Sequence, residues 1–421
     1  MADFARSADP RVQAELDRLH KIGPGADVLG LDRIGRLLDA LGRPQDRLPP
    51  VFHVAGTNGK GSTTAFLRAG LEAAGKRVHV FTSPHLVRFN ERIRISGKLI
   101  EDAELAELLA EVRIAGKNIG PSFFEAATAA ALLAFARHPA DSCILEVGLG
   151  GRLDATNIIE RPLVTGIAQV GHDHQLFLGD DLAGIAAEKA GIAKPGVPMT
   201  ALAQEPVAQA AIIAHCAKVG APLRLEGRDW AIDPTLRPAL PGEHQLRNAN
   251  LAWQMLGAQN KFAVSREDFL RGIAYASWPA RLQRLDRGAL VAALPAGSEL
   301  WVDGGHNPAA SDLIAAYART HWNDGKPLVL LFASLKSKDA AGVLTPFRGV
   351  ANRIACLPIP DHDSRDPEEL RATSEGMGFS ASAHASITDA LAAIHEPARV
   401  LIYGSLYLAG VALALNGTMP D

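Results

Sequence analysis

The sequence predicts an α/β protein of two domains, each built on a mainly parallel sheet. First, apolar runs of strand length alternate with Ala/Leu-rich segments at helical spacing along most of the chain, the pattern of a sheet covered by helices. Second, the run Val51 to Ala55 passes through a glycine-broken loop into a helix-like segment. Third, 421 residues is long for one core. The alternation restarts after a Pro- and Arg-bearing stretch at 278–298, so the expected domains are 1–290 and 291–421.

The loop at 56–62 (Gly56, Thr57, Asn58, Gly59, Lys60, Gly61, Ser62) is the strongest chemical signal. A strand, a glycine loop and a helix in that order form a phosphate cradle. Backbone N–H groups and the helix N-terminus face the anion, Lys60 adds a cation, and a hydroxyl can ligate magnesium. Its glycines stand closer together than in a full Walker A loop. The expected class is a P-loop NTPase-like N-terminal domain with a smaller, Rossmann-like doubly wound C-terminal domain.

Composition narrows the partners. The formal charge is −3 and no Lys/Arg-rich run stands out, which points away from nucleic acid. Cys143, Cys216 and Cys356 are far apart with no CxxC pair, which argues against a disulfide framework or a cysteine zinc site and suits a cytoplasmic protein. Residues 1–10 carry charges and no apolar core, so no signal peptide is expected. The apolar end, Val400 to Leu415, is interrupted by Gly404, Ser405 and Gly410 and predicts a strand followed by a helix rather than a membrane span.

In chain order, residues 10–42 predict two amphipathic helices around a Gly-Pro-Gly kink at 23–25. Asp27 is placed to cap the second. A second strand at 77–81 leads to Ser83, and βαβ geometry brings that residue to the same side as the phosphate loop. Arg88, Glu91, Arg92 and Arg94 form a charged segment suited either to anions or to solvent. Helices follow at 101–118 and 122–137, the second opened by a Ser122/Glu125 capping box.

The buried run from Cys143 ends in Glu146, a Walker-B-like acid that can hold Mg²⁺, before three glycines in four residues. A strand at 163–170 runs into His172, Asp173 and His174, whose spacing invites zinc but lacks further matching ligands. Lys189 lies on an Ala/Ile-rich helix, where burial implies an ion pair or a depressed pKa that permits carbamylation by CO₂. A further βαβ element is expected over 198–225. Asn248 suits a base edge or a helix cap. Strands near 300, 328, 353 and 400 predict the second sheet, with Asp303, His306 and Asn307 at one strand end.

Together these stretches resemble the bifunctional dihydrofolate synthase/folylpolyglutamate synthase family of the Mur ligase superfamily. The matching segments are residues 55–62, 82–93, 145–157, 188–192 and 303–308, in the family's order. The resemblance implies an ATP-dependent amide ligase that joins L-glutamate to dihydropteroate and to reduced folates. ATP is the co-substrate and Mg²⁺ the cofactor, in a monomer with neither a nucleic-acid nor a membrane partner.

It further implies Ser83, Glu146 and His174 as metal ligands, and Asn248, Arg281, Asp303 and His306 beside the phosphate loop as nucleotide contacts. Leu29, Gly30, Ser83, Phe124 and Ala155 fall at substrate-binding positions. Lys189 matches the carbamylated lysine, and Lys60, Asp154 and Lys189 are the expected catalytic set. The family usually has Ala where Gly305 stands, a departure to glycine expected to be tolerable, and Gly where Ala280 stands.

Three other readings compete: tail extension alone, a nucleotide-binding switch module without ligase activity, and a cell-wall precursor ligase. The last usually carries an extra N-terminal domain, for which the position of the phosphate loop is expected to leave no room.

Overall fold

A computed structural model describes residues 6–23 and 29–421. The Asp27 cap and most of the Gly-Pro-Gly kink fall outside the described residues. The chain forms two compact units. One takes in residues up to Ala239, His244–Ser277 and Asp421, and the other takes in Leu240–Glu243 and Trp278–Pro420.

The first unit is organised around eight strands: β1 (Val51–Ala55), β2 (Val78–Phe81), β3 (Ile93–Ile95), β4 (Lys98–Leu99), β5 (Ser142–Glu146), β6 (Val164–Ile167), β7 (Met199–Ala201) and β8 (Leu223–Leu225). Their order is β4-β3-β2-β5-β1-β6-β7-β8. Only β3 runs against the other strands, pairing antiparallel with β2 on one side and β4 on the other. The central strands β2, β5, β1 and β6 are buried along their whole length, as parallel strands covered on both faces must be. This is why they read as unbroken apolar runs.

Helices pack closely where glycines allow it. A Cβ at Gly272 would stand 2.3 Å from the Ala69 carbonyl oxygen, so the helices Lys60–Ala73 and Arg266–Ile273 meet almost backbone to backbone. The Ser122/Glu125 capping box forms as expected.

Within the charged segment after β2, Glu91 and Arg92 hold the local structure. Glu91 accepts from the N–H groups of Leu86, Val87 and Arg88, and Arg92 is fully buried, bonded to His85 and set over the Phe89 ring. Sequence reading saw the charges but not the turn that consumes them.

His53, in the middle of β1, is fully buried, and desolvation pushes its pKa down to about 3, helped by the charge of Lys194. The folded state therefore refuses a proton that the unfolded state accepts below about pH 6.5. Stability contributed by the neutral ring is complete above pH 6.5 and is lost as pH falls toward 3. Urea denaturation at pH 5.5 is expected to show about 1.4 kcal/mol less stability from this residue than at pH 7.5, a difference that a His53→Gln variant loses.

The second unit holds β9 (Gln283–Leu285), β10 (Glu299–Val302), β11 (Leu328–Phe332), β12 (Arg353–Cys356), β13 (Ser380–Ala383) and β14 (Arg399–Tyr403). The order is β13-β12-β11-β14-β10-β9, with β9 alone antiparallel. Because β9 pairs with β10, residues 278–290 group with this unit rather than with the first. A three-residue edge strand has too little periodicity to read. β13, reading Ser-Ala-Ser-Ala, has no apolar signal at all. The C-terminal apolar run forms β14 and the helix Leu406–Asn416, and no helix among the described residues is long and apolar enough to cross a membrane.

Candidate active site

Four adjacent strands deliver the site of the first unit. The register pairs Val54 with Glu146, Leu145 with Phe81 and Ala55 with Ile167. The C-terminal ends of β2, β5, β1 and β6 therefore lie together along one edge of the sheet, with Ser83 just after β2, Glu146 ending β5, the phosphate loop after β1 and His174 after β6.

The phosphate loop needs its glycines. Gly56 has φ +151° and packs on Ala168, and Gly59 has φ +87°. A Cβ at Gly59 would stand 2.4 Å from Asn248 Oδ1. Asn248 thus lies against the loop from well inside the helix Glu243–Gly257, and its alternative reading as a helix cap is overturned. Its amide donates to Gln245 Oε1 at 3.2 Å.

Lys60 Nζ donates to the carbonyls of Gly56 (3.1 Å) and Thr57 (3.2 Å). Gln169, which sequence reasoning missed, stitches the loop to the end of β6. Its carbonyl accepts from the N–H of Thr57 at 2.7 Å, and its side chain accepts from Asn58 Nδ2 at 2.9 Å. No motif surrounds Gln169, and only the strand order brings it here.

The glycine run after β5 is explained position by position. A Cβ at Gly148 would enter the Phe124 ring at 2.5 Å, and Gly150 has φ +69°. A Cβ at Gly151 would stand 2.6 Å from the Glu188 carbonyl oxygen and 2.9 Å from Lys189 Cα. Gly191 faces Arg152 in the same way, with a Cβ that would stand 2.6 Å from Arg152 Cα. The loop therefore docks directly on the end of the helix Leu182–Ala190.

Asp154 is 2% exposed, and both carboxylate oxygens are occupied. Oδ2 accepts from the N–H groups of Gly148 and Leu149, and Oδ1 accepts from the N–H and hydroxyl of Thr156. Burial pushes its pKa up against these donors. A carboxylate so engaged organises a loop. Ala155 is buried beside it, while Leu29 and Gly30 are half-buried just beyond the undescribed segment.

Lys189 is 4% exposed, and its Nζ donates to the Gly56 carbonyl at 3.1 Å. Burial lowers its pKa to about 7; the charge of Lys60 adds to this, and Asp173 and Asp154 oppose it. Its neighbour Glu188 is engaged instead by Arg152 at 2.7 Å.

A divalent cation fits these residues only in company. Among the described residues no three His, Cys, Asp or Glu side chains cluster as a metal site. The hydroxyls of Ser62, Thr63 and Thr64 are buried without a hydrogen-bond partner. Hydroxyls, one carboxylate and substrate phosphates are the donor set that magnesium accepts.

In the second unit Asp303 leaves β10 and accepts from the N–H groups of Leu282 and Gly305, each at 2.7 Å. Burial pushes its pKa up against the nearby Arg281 charge. His306 Nδ1 lies 2.9 Å from the Gly304 carbonyl oxygen, and Asn307 caps the helix Pro308–His321. Ala280 adopts φ +55°, the left-handed region glycine favours, which accounts for the family's usual glycine there.

Gly305 is closely covered in this chain. A Cβ there would stand 2.4 Å from Tyr403 Oη, which is buried and bonded to Ser311. Gly305→Ala is expected to cost about 1–3 kcal/mol by overpacking. A thermal melt checks this, and Tyr403→Phe in the same chain should recover part of the loss.

The chain is 34% identical over 355 residues to dihydrofolate synthase/folylpolyglutamate synthase of Bacillus subtilis, a match covering 77% of this chain and 80% of that one. Escherichia coli FolC in complex with DHPP and ADP superposes with a TM-score of 0.87 at 30% identity, covering 97% and 98% of the two chains. The bifunctional enzyme of Yersinia pestis complexed with AMPPNP and Mn ion gives 0.85 at 29% identity, covering 97% and 99%. No family model matches the chain. The fold and these likenesses define the class of Mur-type ATP-dependent ligases. Within that class the chain belongs to the dihydrofolate synthase/folylpolyglutamate synthase family.

Proposed function

We propose that this chain ligates L-glutamate to dihydropteroate, forming dihydrofolate, and extends glutamate tails on reduced folates, using ATP through an acyl phosphate. The observation that carries the reading is Lys189, buried and partly neutral near pH 7, bonded to the backbone of the phosphate loop itself. A neutral amine there reacts with CO₂, losing one proton, to place a carbamate beside the phosphates.

The substrate carboxylate attacks the γ-phosphorus of ATP and ADP leaves. The glutamate amine then attacks the acyl carbon, and phosphate leaves as the amide forms. Lys60 and the N–H groups of residues 56–62 stabilise charge on the phosphoryl oxygens. Bound Mg²⁺ would be held by Ser83, Glu146 and His174 and would neutralise phosphate charge. The Lys189 carbamate orients the site, and Asp154 holds the glycine loop beside it. Leu29, Gly30, Phe124 and Ala155 face the pterin. Asn248 is a nucleotide contact of the first unit, and Arg281, Asp303 and His306 are nucleotide contacts of the second. Three buried free thiols fit a reducing cytoplasm.

Purified protein with ATP, Mg²⁺ and L-glutamate is offered dihydropteroate or a reduced folate. ADP release with both is expected. Release with the folate alone reduces the function to tail extension, and release with neither sinks the reading.

A further inference from the structure

His53 is a charge-capable side chain with no place in the reaction as described, yet it sits fully buried between Phe52 and Val54 in β1, three residues before Gly56. An apolar residue would serve a central strand better, because a buried imidazole costs stability unless it is hydrogen-bonded.

Its Nε2 lies 2.8 Å from Thr156 Oγ1. Thr156 is itself fully buried, and its hydroxyl lies 2.5 Å from Asp154 Oδ1. Three backbone N–H groups converge on the Asp154 carboxyl, from Gly148, Leu149 and Thr156, so it is the acceptor and Thr156 gives it the single hydroxyl proton. The hydroxyl then accepts from His53, which fixes the ring as the Nε2–H tautomer. Nδ1 has no hydrogen-bond partner. The chain of bonds runs from the strand that delivers the phosphate loop, through Thr156 and Asp154, to the first turn of the loop after Glu146.

We propose that His53 and Thr156 are positioning residues for the ligase reaction, acting through Asp154 to fix the Gly148–Leu149 turn relative to the phosphate loop. The strand pairing of β1 with β5 ends at Val54 and Glu146, with one further bond from the Val147 N–H to the Val54 carbonyl. Beyond that point the sheet no longer sets the geometry. The turn also forms the wall against which Phe124 packs, since Gly148 lies directly under that ring. Loss of the relay should therefore loosen the face that receives the pteroate part of the substrate, more than the face that receives phosphate.

The inference rests on the ligase reading above, and the wild-type assay in the same series separates the two. If wild type releases no ADP with either acceptor, the ligase reading fails. If wild type turns over, the variants judge the relay. Thr156→Val keeps the shape and removes the hydroxyl, and Thr156→Ser restores it. Thr156→Val is expected to raise KM for dihydropteroate or folate by about tenfold while KM for ATP stays within about twofold, and Thr156→Ser is expected to stay near wild type.

His53→Leu should match Thr156→Val. His53→Gln, whose amide can reach the same hydroxyl, should recover most of the loss, and the Leu/Val double variant should be no worse than either single one. Wild-type KM values in Thr156→Val, equal impairment in Thr156→Ser, or additive losses in the double variant would overturn the proposal. If Thr156→Val does not fold, the His53→Leu and His53→Gln pair decides by the same split. A merely structural relay would lower the melting temperature and leave the two KM values in their wild-type ratio.

Discussion

Lys189→Met is expected to lower ADP-forming turnover by at least about a thousandfold while making the folded protein more stable near neutral pH. The two effects have one cause. Lys189 is buried against the Gly56 carbonyl, and its pKa is lowered from 10.5 to about 7, first by burial and then by the Lys60 charge.

In the unfolded chain the amine stays protonated up to about pH 10.5. Between pH 7 and 10.5 the unfolded state holds a proton that the folded state has released, so stability rises with pH across that window. Below pH 7 both states are protonated and the burial penalty stands in full. Wild type should therefore gain about 2–3 kcal/mol on the methionine variant between pH 6.5 and pH 9, read by urea denaturation in CO₂-free buffer.

Turnover should follow the same proton. Carbamylation needs the neutral amine, so activity should fall as pH drops below 7, and added bicarbonate should move that limb to lower pH. A methionine variant that turns over normally, or an acid limb indifferent to bicarbonate, would remove Lys189 from the mechanism.

Gly151→Ala is expected to be nearly as damaging, although residue 151 performs no chemistry. The added methyl would stand 2.6 and 2.8 Å from the carbonyl oxygens of Glu188 and Lys189 and 2.9 Å from Lys189 Cα. These are backbone atoms and cannot rotate aside. Either the loop lifts off or the helix Leu182–Ala190 shifts and carries Lys189 with it.

A cost of about 3 kcal/mol or more is expected, with turnover lost beyond what the folded fraction explains. Gly191→Ala presses on Arg152 from the opposite side and should give the same phenotype. A Gly151→Ala protein with an unchanged melting midpoint and normal turnover would show that this contact is slack.

Most of the fold was legible because central parallel strands are apolar throughout and their helices repeat at helical spacing. Val51–Ala55, Ser142–Glu146 and Leu328–Phe332 announced themselves in this way. The edges did not. β3, β4, β9 and β13 have two to four residues each, too few for a period to show.

At the site, types and order were readable. The lysine of the phosphate loop, the acid ending β5, the histidine after β6 and the buried helical lysine can each be picked out in sequence, although the strand order β5-β1-β6 sets the phosphate loop between the acid and the histidine. Roles that depend on what a side chain meets were not readable. Glu91 and Arg92 looked ready for anions and are consumed by their own loop. Nothing local marks Gly305 as closely packed, yet it lies against Tyr403, 98 positions away.

By itself the sequence determined the class of protein, the strand–loop–helix carrying the phosphate site, and the chemistry available at each strand end. These follow from local propensity and spacing, which a linear chain records. Only the tertiary structure decided which glycines are irreplaceable, that Asn248 and Gln169 brace the phosphate loop, and that Lys189 is buried enough to be partly neutral near pH 7. Close approach and desolvation are set by residues brought together from distant parts of the chain, and no local pattern encodes them.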